Sequence, residues 1–279
     1  MKAFYENRTY DSQFPLVITK SSGFDFLAHW HNDIELVYVL DGNLKMGINK
    51  ECRILKKGDV AICSSGDIHY YNSKDLYSEY FLILLKPQLL ESKSIWPKNL
   101  RFLCPFIKCK FLKENKISDR VAEIFTSLHC ESQKNTEHSH YFQRAHIYEL
   151  CGLLLCNIPS EPLLEVKLSR SISHLKIMQI ALQYIETNYT QDISLKDTAK
   201  ISNMSFFYFS RLFNQITGKN YKSYLNSVRV EKAEELLLSD LNKSIMDIAY
   251  ESGFKSIRTF NRVYKSVKGC IPSNIRGSN

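Results

Sequence analysis

Two hydrophobic rhythms divide the chain. Up to about residue 86, apolar residues come in short runs bounded by turn signals: Ile34-Glu-Leu-Val-Tyr-Val-Leu40 runs up to Asp41-Gly42, Lys57-Gly58-Asp59 precedes Val60-Ala-Ile62, and Tyr80-Phe-Leu-Ile-Leu-Leu85 precedes Pro87. Runs of this length and spacing predict the strands of a small barrel or sandwich. From about Ser118 the period lengthens. Val121, Ile124, Phe125 and Leu128 share one helical face, and so do Phe142, Ala145, Ile147, Tyr148, Cys151, Leu154 and Leu155. The second face is apolar enough to predict either packing on the strands or a seam between two subunits. Pro159-Ser-Glu-Pro162, followed by Ser169-Arg-Ser171, reads as a linker.

The last third repeats itself. Leu195-Lys-Asp-Thr-Ala199 returns as Ile245-Met-Asp-Ile-Ala249, and Ser205, Phe209, Arg211, Phe213 and Gly218 return 51 positions later as Ser256, Phe260, Arg262, Tyr264 and Gly269. Each copy predicts a helix-turn-helix. Ser194 with Asp197, and Ser244 with Asp247, form capping-box patterns that start a first helix. Ser202-Asn203 and Ser252-Gly253 end it on residue types that tolerate positive φ. Ser205 and Ser256 are the expected N-caps of a second helix, which Gly218 and Gly269 terminate. Phe209, Leu212 and Phe213, or Phe260, Val263 and Tyr264, then face inward. Between the copies an apolar stripe from Tyr221 to Leu238 predicts a helix of roughly 27 Å, long enough to hold two reading heads about one turn of B-DNA apart.

Charge follows the repeat. Residues 167–279 carry 17 Lys+Arg against 9 Asp+Glu, whereas residues 1–166 carry 20 of each, so the net +8 lies wholly in the repeated module. A phosphate-facing surface requires this. The outward faces of the second helices carry Phe207, Ser210 and Arg211 in one copy, and Ile257, Arg258, Asn261 and Arg262 in the other. Arginine can grip guanine with two donors and asparagine can pair with adenine, so these residues suit base reading in a major groove. An ordinary solvated helix face is the rival explanation, and the recurrence of arginine at equivalent positions argues against it.

With those motifs in view, residues of about 170–279 resemble the DNA-binding domain of the AraC/XylS family of bacterial transcription regulators. The resemblance rests on Ser205–Gly218, on Tyr224 with Arg229 and Ala233, and on Ile248-Ala249 through Gly253-Phe254, Phe260, Arg262, Gly269 and Pro272. It implies that the second helix of each unit enters consecutive major grooves, with Phe207, Ser210, Arg211, Ile257, Arg258, Asn261 and Arg262 as the reading residues. It further implies a double-stranded DNA operator, RNA polymerase as a partner, a homodimer, activation as the commoner mode, and control by a small-molecule effector such as a sugar. Two departures stand out: the aromatic pair Phe206-Phe207 occupies positions where small or polar residues are usual, and Cys270-Ile271-Pro272 replaces a Ser-Pro neighbourhood.

The first half carries a second resemblance. Gly23-x5-His29-x-His31-x3-Glu35-x6-Gly42 is similar to the first cupin motif, and Gly58-x5-Ser64-x-Gly66-x2-His69 to the second. On a strand, residues 29, 31 and 35 would share a face. With His69 they would bring three imidazoles and a carboxylate together, a set suited to Mn, Fe, Ni or Zn. The expected role is a ligand pocket formed by His29, His31, Glu35 and His69, with no cofactor required and with Trp30 or Tyr38 as an apolar wall. A divalent metal at the same four residues, or a merely structural polar cluster, are the alternatives.

The expected architecture is therefore an α+β two-domain chain: an N-terminal cupin-like β-barrel with trailing helices, then an all-α domain of two helix-turn-helix units joined by a helix. The boundaries are 1–86 for the sensing barrel, 87–158 for a helical dimerisation region, 159–172 for the linker and 173–279 for the DNA-binding domain. No apolar run approaches the ~18–20 residues of a membrane span, and there is no leader-like apolar segment, so a cytoplasmic protein with no membrane partner is expected. The eight cysteines include no Cys-x-x-Cys pair and read as buried, reduced thiols. Nothing else in the sequence assembles a reaction site, so no enzyme is expected. A constitutive regulator without effector and a metal-dependent cupin enzyme fused to a DNA-binding module are the rival functions.

Overall fold

The computed structural model describes residues 14–23, 25–72, 76–90, 100–134, 136, 138–162 and 165–276. The described residues divide into two compact units, a β-rich one that takes in residues up to Phe26 and Trp30–His174, and a helical one from Leu175 onward with which Leu27–His29 group.

Strands β1 (Leu16–Ser22), β2 (Phe26–His29), β3 (Ile34–Ile48), β4 (Glu51–Lys56), β5 (Val60–Cys63), β6 (His69–Tyr71) and β7 (Ser78–Leu85) are joined by β8 (Leu100–Phe102) and β9 (Phe106–Ile107). Strand β3 organises the sheet. Its first half pairs with β7 and β5, and its second half pairs with β4 and β6, so one strand contributes to two leaflets. The crossing point is a bulge: the register on β7 shifts between Val39 and Asp41, and Gly42 follows at φ +75°. Asp41-Gly42 was expected to end a strand, but the strand continues through it. A Cβ on Gly42 would lie 2.2 Å from the Tyr77 carbonyl oxygen, so the close approach of that backbone, not a hairpin, explains the glycine.

Two further expectations are corrected. The sheet path β1-β7-β3-β5-β9 stays open among the described residues rather than closing into a barrel. The β-structure also extends past residue 86, because β9 pairs with β5 and β8 pairs with β10 (Ser160–Pro162).

The first leaflet is buried on both faces, which explains its nearly unbroken apolar runs. Leu36, Ile62 and Ile83 point one way, into a core shared with helices. Val37, Ala61, Cys63, Leu82 and Leu84 point the other way, toward Met46 and Ile48 of the second leaflet. The helical side is α1 (Cys109–Glu114), α2 (Ser118–Lys134) and α3 (Ser139–Asn157), after a short 3-10 turn at Pro87–Leu90. Val121, Ile124, Phe125 and Leu128 of α2 are buried, as are Ile147, Cys151 and Leu154 of α3. Helix α3 thus packs with the sheet, while Tyr141 and Phe142 stay exposed. The expectation of buried thiols holds for Cys63 and Cys151; Cys104, Cys130 and Cys156 are exposed, and every cysteine is free.

The second unit begins inside a helix. Helix α4 (Glu165–Asn188) runs through most of the segment assigned as linker, because no Pro or Gly interrupts the chain from Glu165 to Asn188. Met178, Ala181, Leu182 and Ile185 on it are buried. Then come α5 (Leu195–Ile201), α6 (Phe206–Thr217), α7 (Tyr221–Ser239), α8 (Ile245–Glu251), α9 (Ile257–Lys268) and α10 (Pro272–Arg276). Among the described residues no helix is long and apolar enough to cross a membrane.

The duplicated turns use different residues for one backbone shape: Asn203 at φ +49° and Gly253 at φ +84°. The second is crowded. A Cβ on Gly253 would lie 2.7 Å from the Tyr189 carbonyl oxygen and 2.8 Å from Thr190 Cα, on a loop that Arg229 holds by donating to the Tyr189 and Gln191 carbonyls at 2.7 and 2.8 Å. Gly253→Ala should therefore cost at least about 2 kcal/mol, whereas Asn203→Gly should stay within about 0.5 kcal/mol. Urea unfolding followed by helical circular dichroism checks both.

Candidate nucleic-acid interface and buried polar site

Helices α5, α6, α8 and α9 are built by local signals. Asp197 N donates to Ser194 Oγ at 3.2 Å while Ser194 N donates back to Asp197 Oδ2, a complete capping box at the start of α5. Asp247 N donates to Ser244 Oγ at 3.0 Å at the start of α8, and Thr259 N donates to Ser256 Oγ at the start of α9. Ser205 sits at the N-cap position of α6 but makes no side-chain cap hydrogen bond. Gly218 and Gly269 close α6 and α9 in the left-handed region.

Inside, Phe209, Leu212 and Phe213 of α6 are buried, and so are Phe260, Val263 and Tyr264 of α9. Outside, Phe207 and Arg211 of α6, and Arg258, Asn261 and Arg262 of α9, are exposed, with Ser210 half-buried. Ile257 departs from the group, because it packs partly against the core of the second repeat. As the first residue of α9 it serves as an anchor for the helix entry. The Arg211 guanidinium lies 5.8 Å from the centre of the Tyr208 ring, a cation–π contact one turn away on the same helix. Lys265 extends the exposed basic face of α9.

His29, His31, Glu35 and His69 also meet, though not as one strand face. His29 ends β2, Glu35 lies on β3 and His69 opens β6; His31 sits in the bend between β2 and β3. The turn at Ser64–Asp67 helps to place them: Gly66 N donates to the His31 carbonyl at 2.8 Å and Ser64 N donates to Asp67 Oδ2. All four side chains are almost fully buried, and their ligating atoms lie within 4.8 Å of one another.

The imidazoles share one orientation. Nδ1 of His29, His31 and His69 lies 2.9, 3.1 and 3.0 Å from the carbonyl oxygens of Leu27, Asp33 and Asp67. A carbonyl only accepts, so each Nδ1 carries the proton and the Nε2 side is turned to the cluster. Nε2 of His31 and of His69 each lie 3.4 Å from Glu35 Oε2, and the Tyr71 hydroxyl donates to Glu35 Oε1. Burial alone would push the Glu35 carboxyl up; the imidazoles of His69 and His31 instead hold it well below the usual carboxylate range. Burial works downward on His69, and Glu35 overrides it, so that imidazole titrates above its ordinary value.

Tyr71 is the member of the site that motif spacing missed. It lies two residues beyond His69 on the same strand, and the two-residue side-chain period points both into the interior. Of the two residues expected as an apolar wall, Tyr38 lies elsewhere. Tyr38 stacks on Phe125 at 5.1 Å in the helical core, while Tyr80 stacks on Tyr71 at 5.9 Å.

Comparison with known proteins agrees with both halves. A helix-turn-helix domain family matches residues 198–278, and a cupin domain family matches residues 16–82. The Melibiose operon regulatory protein of Escherichia coli (strain K12) is 24% identical over 258 residues, covering 89% of this chain and 83% of its own length. The Msm operon regulatory protein of Streptococcus mutans is 24% identical over 261 residues, covering 91% of this chain and 87% of its own length. Among solved structures, the C-terminal domain of AraT, a response regulator from Geobacillus stearothermophilus, is 34% identical over 37% of this chain and 85% of its own, with a TM-score of 0.35. With its duplicated helix-turn-helix and its cupin-like sheet, the chain belongs to the AraC/XylS family of DNA-binding transcription regulators.

Proposed function

We propose that this regulator is a cytoplasmic, homodimeric activator of an operon for sugar use, controlled by a carbohydrate effector and acting with RNA polymerase at a double-stranded operator. The observation that carries this reading is likeness along nearly the whole chain, sensor half included, to a regulator named for melibiose. The exposed faces of α6 and α9 supply the operator contacts. The exposed aromatics of α3, Tyr141 and Phe142, suit a seam between subunits in the 87–158 region.

The four polar residues call for a separate role. A drug-sized or sugar-sized ligand needs a space of several hundred Å³, whereas His29, His31, Glu35 and His69 are sealed and meet one another across less than 5 Å. The donor set fits a divalent metal: each imidazole has its far nitrogen fixed by a backbone carbonyl, the usual support for a metal-bound histidine, and the carboxylate is held ionised. An ion there would tie β2, β3 and β6 together, which supports a structural or gating role rather than turnover. Without one, the same groups brace the sheet by hydrogen bonds, and the carbohydrate is met by other surfaces of the cupin domain.

A thermal-shift screen of the metal-stripped full-length protein tests this directly. Melibiose and related sugars are expected to raise the melting temperature without metal. A rise with divalent metal alone would leave the sugar reading unsupported and turn attention to the enzyme alternative. Silence with every sugar would favour constitutive control. On the DNA side, Arg262→Ala should weaken binding to the preferred duplex by about 1–3 kcal/mol and relax preference at one base position. A uniform loss on all duplexes would place Arg262 on phosphate instead.

A further inference from the structure

The two reading heads differ at several matched positions, and Phe207 and Arg258 are the most unlike in chemistry. From Ser205/Ser256 onward the repeats are offset by 51, so Phe207 stands where the second copy has Arg258, each the second residue of its helix. Both are exposed, and Phe207 leaves 84% of its surface open. Phe206 sits against it edge to face, centroids 5.5 Å apart and planes at 86°, so the outward phenyl is braced from its own helix. Farther along α6, Arg211 lies over Tyr208. The first head therefore leads with a braced phenyl, and the second leads with an exposed guanidinium.

The major groove offers little that a phenyl can recognise. Guanine, cytosine and adenine edges present donors and acceptors, which a ring without polar atoms cannot satisfy; the apolar feature of the unmodified duplex is the C5-methyl of thymine. We propose that Phe207 selects a thymine methyl in the half-site read by α6, at the position matching the guanine that Arg258 selects in the half-site read by α9. This rests on the DNA-reading role of the two helices. It makes the operator intrinsically asymmetric: a methyl-reading half and a donor-reading half about one helical turn apart.

The test starts from a duplex enriched by the full-length protein from a library with a random 30-base-pair core. Each thymine of the enriched duplex is then replaced singly by deoxyuridine, which removes only the methyl. One position, roughly 10 base pairs from the guanine whose preference is lost in Arg258→Ala, is expected to weaken binding about four-fold, the burial of one methyl. Phe207→Ala should bind thymine and uracil duplexes equally, closing the cycle, while Phe207→Leu keeps the discrimination. A base pair carrying 5-methylcytosine at that position should recover part of the loss that unmethylated cytosine causes.

If Phe207→Ala discriminates thymine from uracil as the parent does, or if no thymine of the enriched duplex is methyl-sensitive, the inference is wrong while the DNA-binding reading stands. If Phe207→Ala leaves affinity and selection unchanged, the aromatic pair serves a protein contact instead. If no duplex is enriched at all, both readings fall together.

Discussion

Replacing Phe213 by alanine is expected to destabilise the helical unit by about 3–5 kcal/mol, the usual cost of truncating a buried phenylalanine. The ring is fully buried, and its centre lies 5.8, 5.5 and 5.3 Å from those of Phe209, Tyr221 and Tyr224. It joins α6 to the connecting helix α7, so a cavity there loosens the seat of α6. The matched residue of the second copy is Tyr264, which packs on Phe260 at 5.5 Å and whose hydroxyl reaches Glu234 at 3.4 Å. Because that hydroxyl bond is long and only part-buried, Tyr264→Phe should cost less than about 1 kcal/mol. Urea unfolding at 222 nm reads both. DNA binding reads the consequence: at temperatures where Phe213→Ala has lost the first helix-turn-helix, the remaining affinity should be that of α9 alone, with a shallower dependence on salt. A Phe213→Ala protein of parental stability would show that α6 is not held by this contact.

The helical unit was largely legible because its determinants are local. Caps at Ser194, Ser244 and Ser256, left-handed glycines at 218 and 269, and inward residues at three- and four-residue spacing all act within one turn or between adjacent helices. The misreadings there are single groups: Ser205 occupies the cap position without making the bond, and Ile257 turns to the core. The β-rich unit was less legible because its determinants are not local. Strand β3 bends between leaflets at Leu40 to Gly42, and only the approach of Tyr77 distinguishes that bend from a hairpin turn. Strands β8 and β9 are three and two residues long and exist by pairing with β10 and β5, contacts no window of sequence displays. At the polar site the motif spacing identified His29, His31, Glu35 and His69. The carbonyls that orient the rings, and Tyr71 behind the carboxylate, belong to backbone geometry and cross-strand register.

Glu35→Ala is expected to destabilise the metal-free β-rich unit by about 3–5 kcal/mol, the cost of removing one member of a buried charged pair. Glu35 lies on the half of β3 that belongs to the first leaflet, while His69 and Tyr71 lie on β6 of the second. The carboxylate therefore joins the leaflets across the interior. Its loss removes the carboxylate to which the Tyr71 hydroxyl donates and leaves two imidazoles facing a hole instead of a negative charge. Tyr71→Phe removes only the donor, with the second carboxylate oxygen still facing His31 and His69, and should cost about 1–3 kcal/mol. The order of the two effects separates charge from hydrogen bonding as the main tie. Titration with cobalt(II), followed by its visible absorption, separates ion holding from bracing. The parent protein should take up one ion and Glu35→Ala should not, since the carboxylate is the only anionic donor in the set. A parent that takes up no cobalt would leave the four residues as a hydrogen-bonded brace, and the stability difference between Glu35→Ala and Tyr71→Phe would then measure that brace alone.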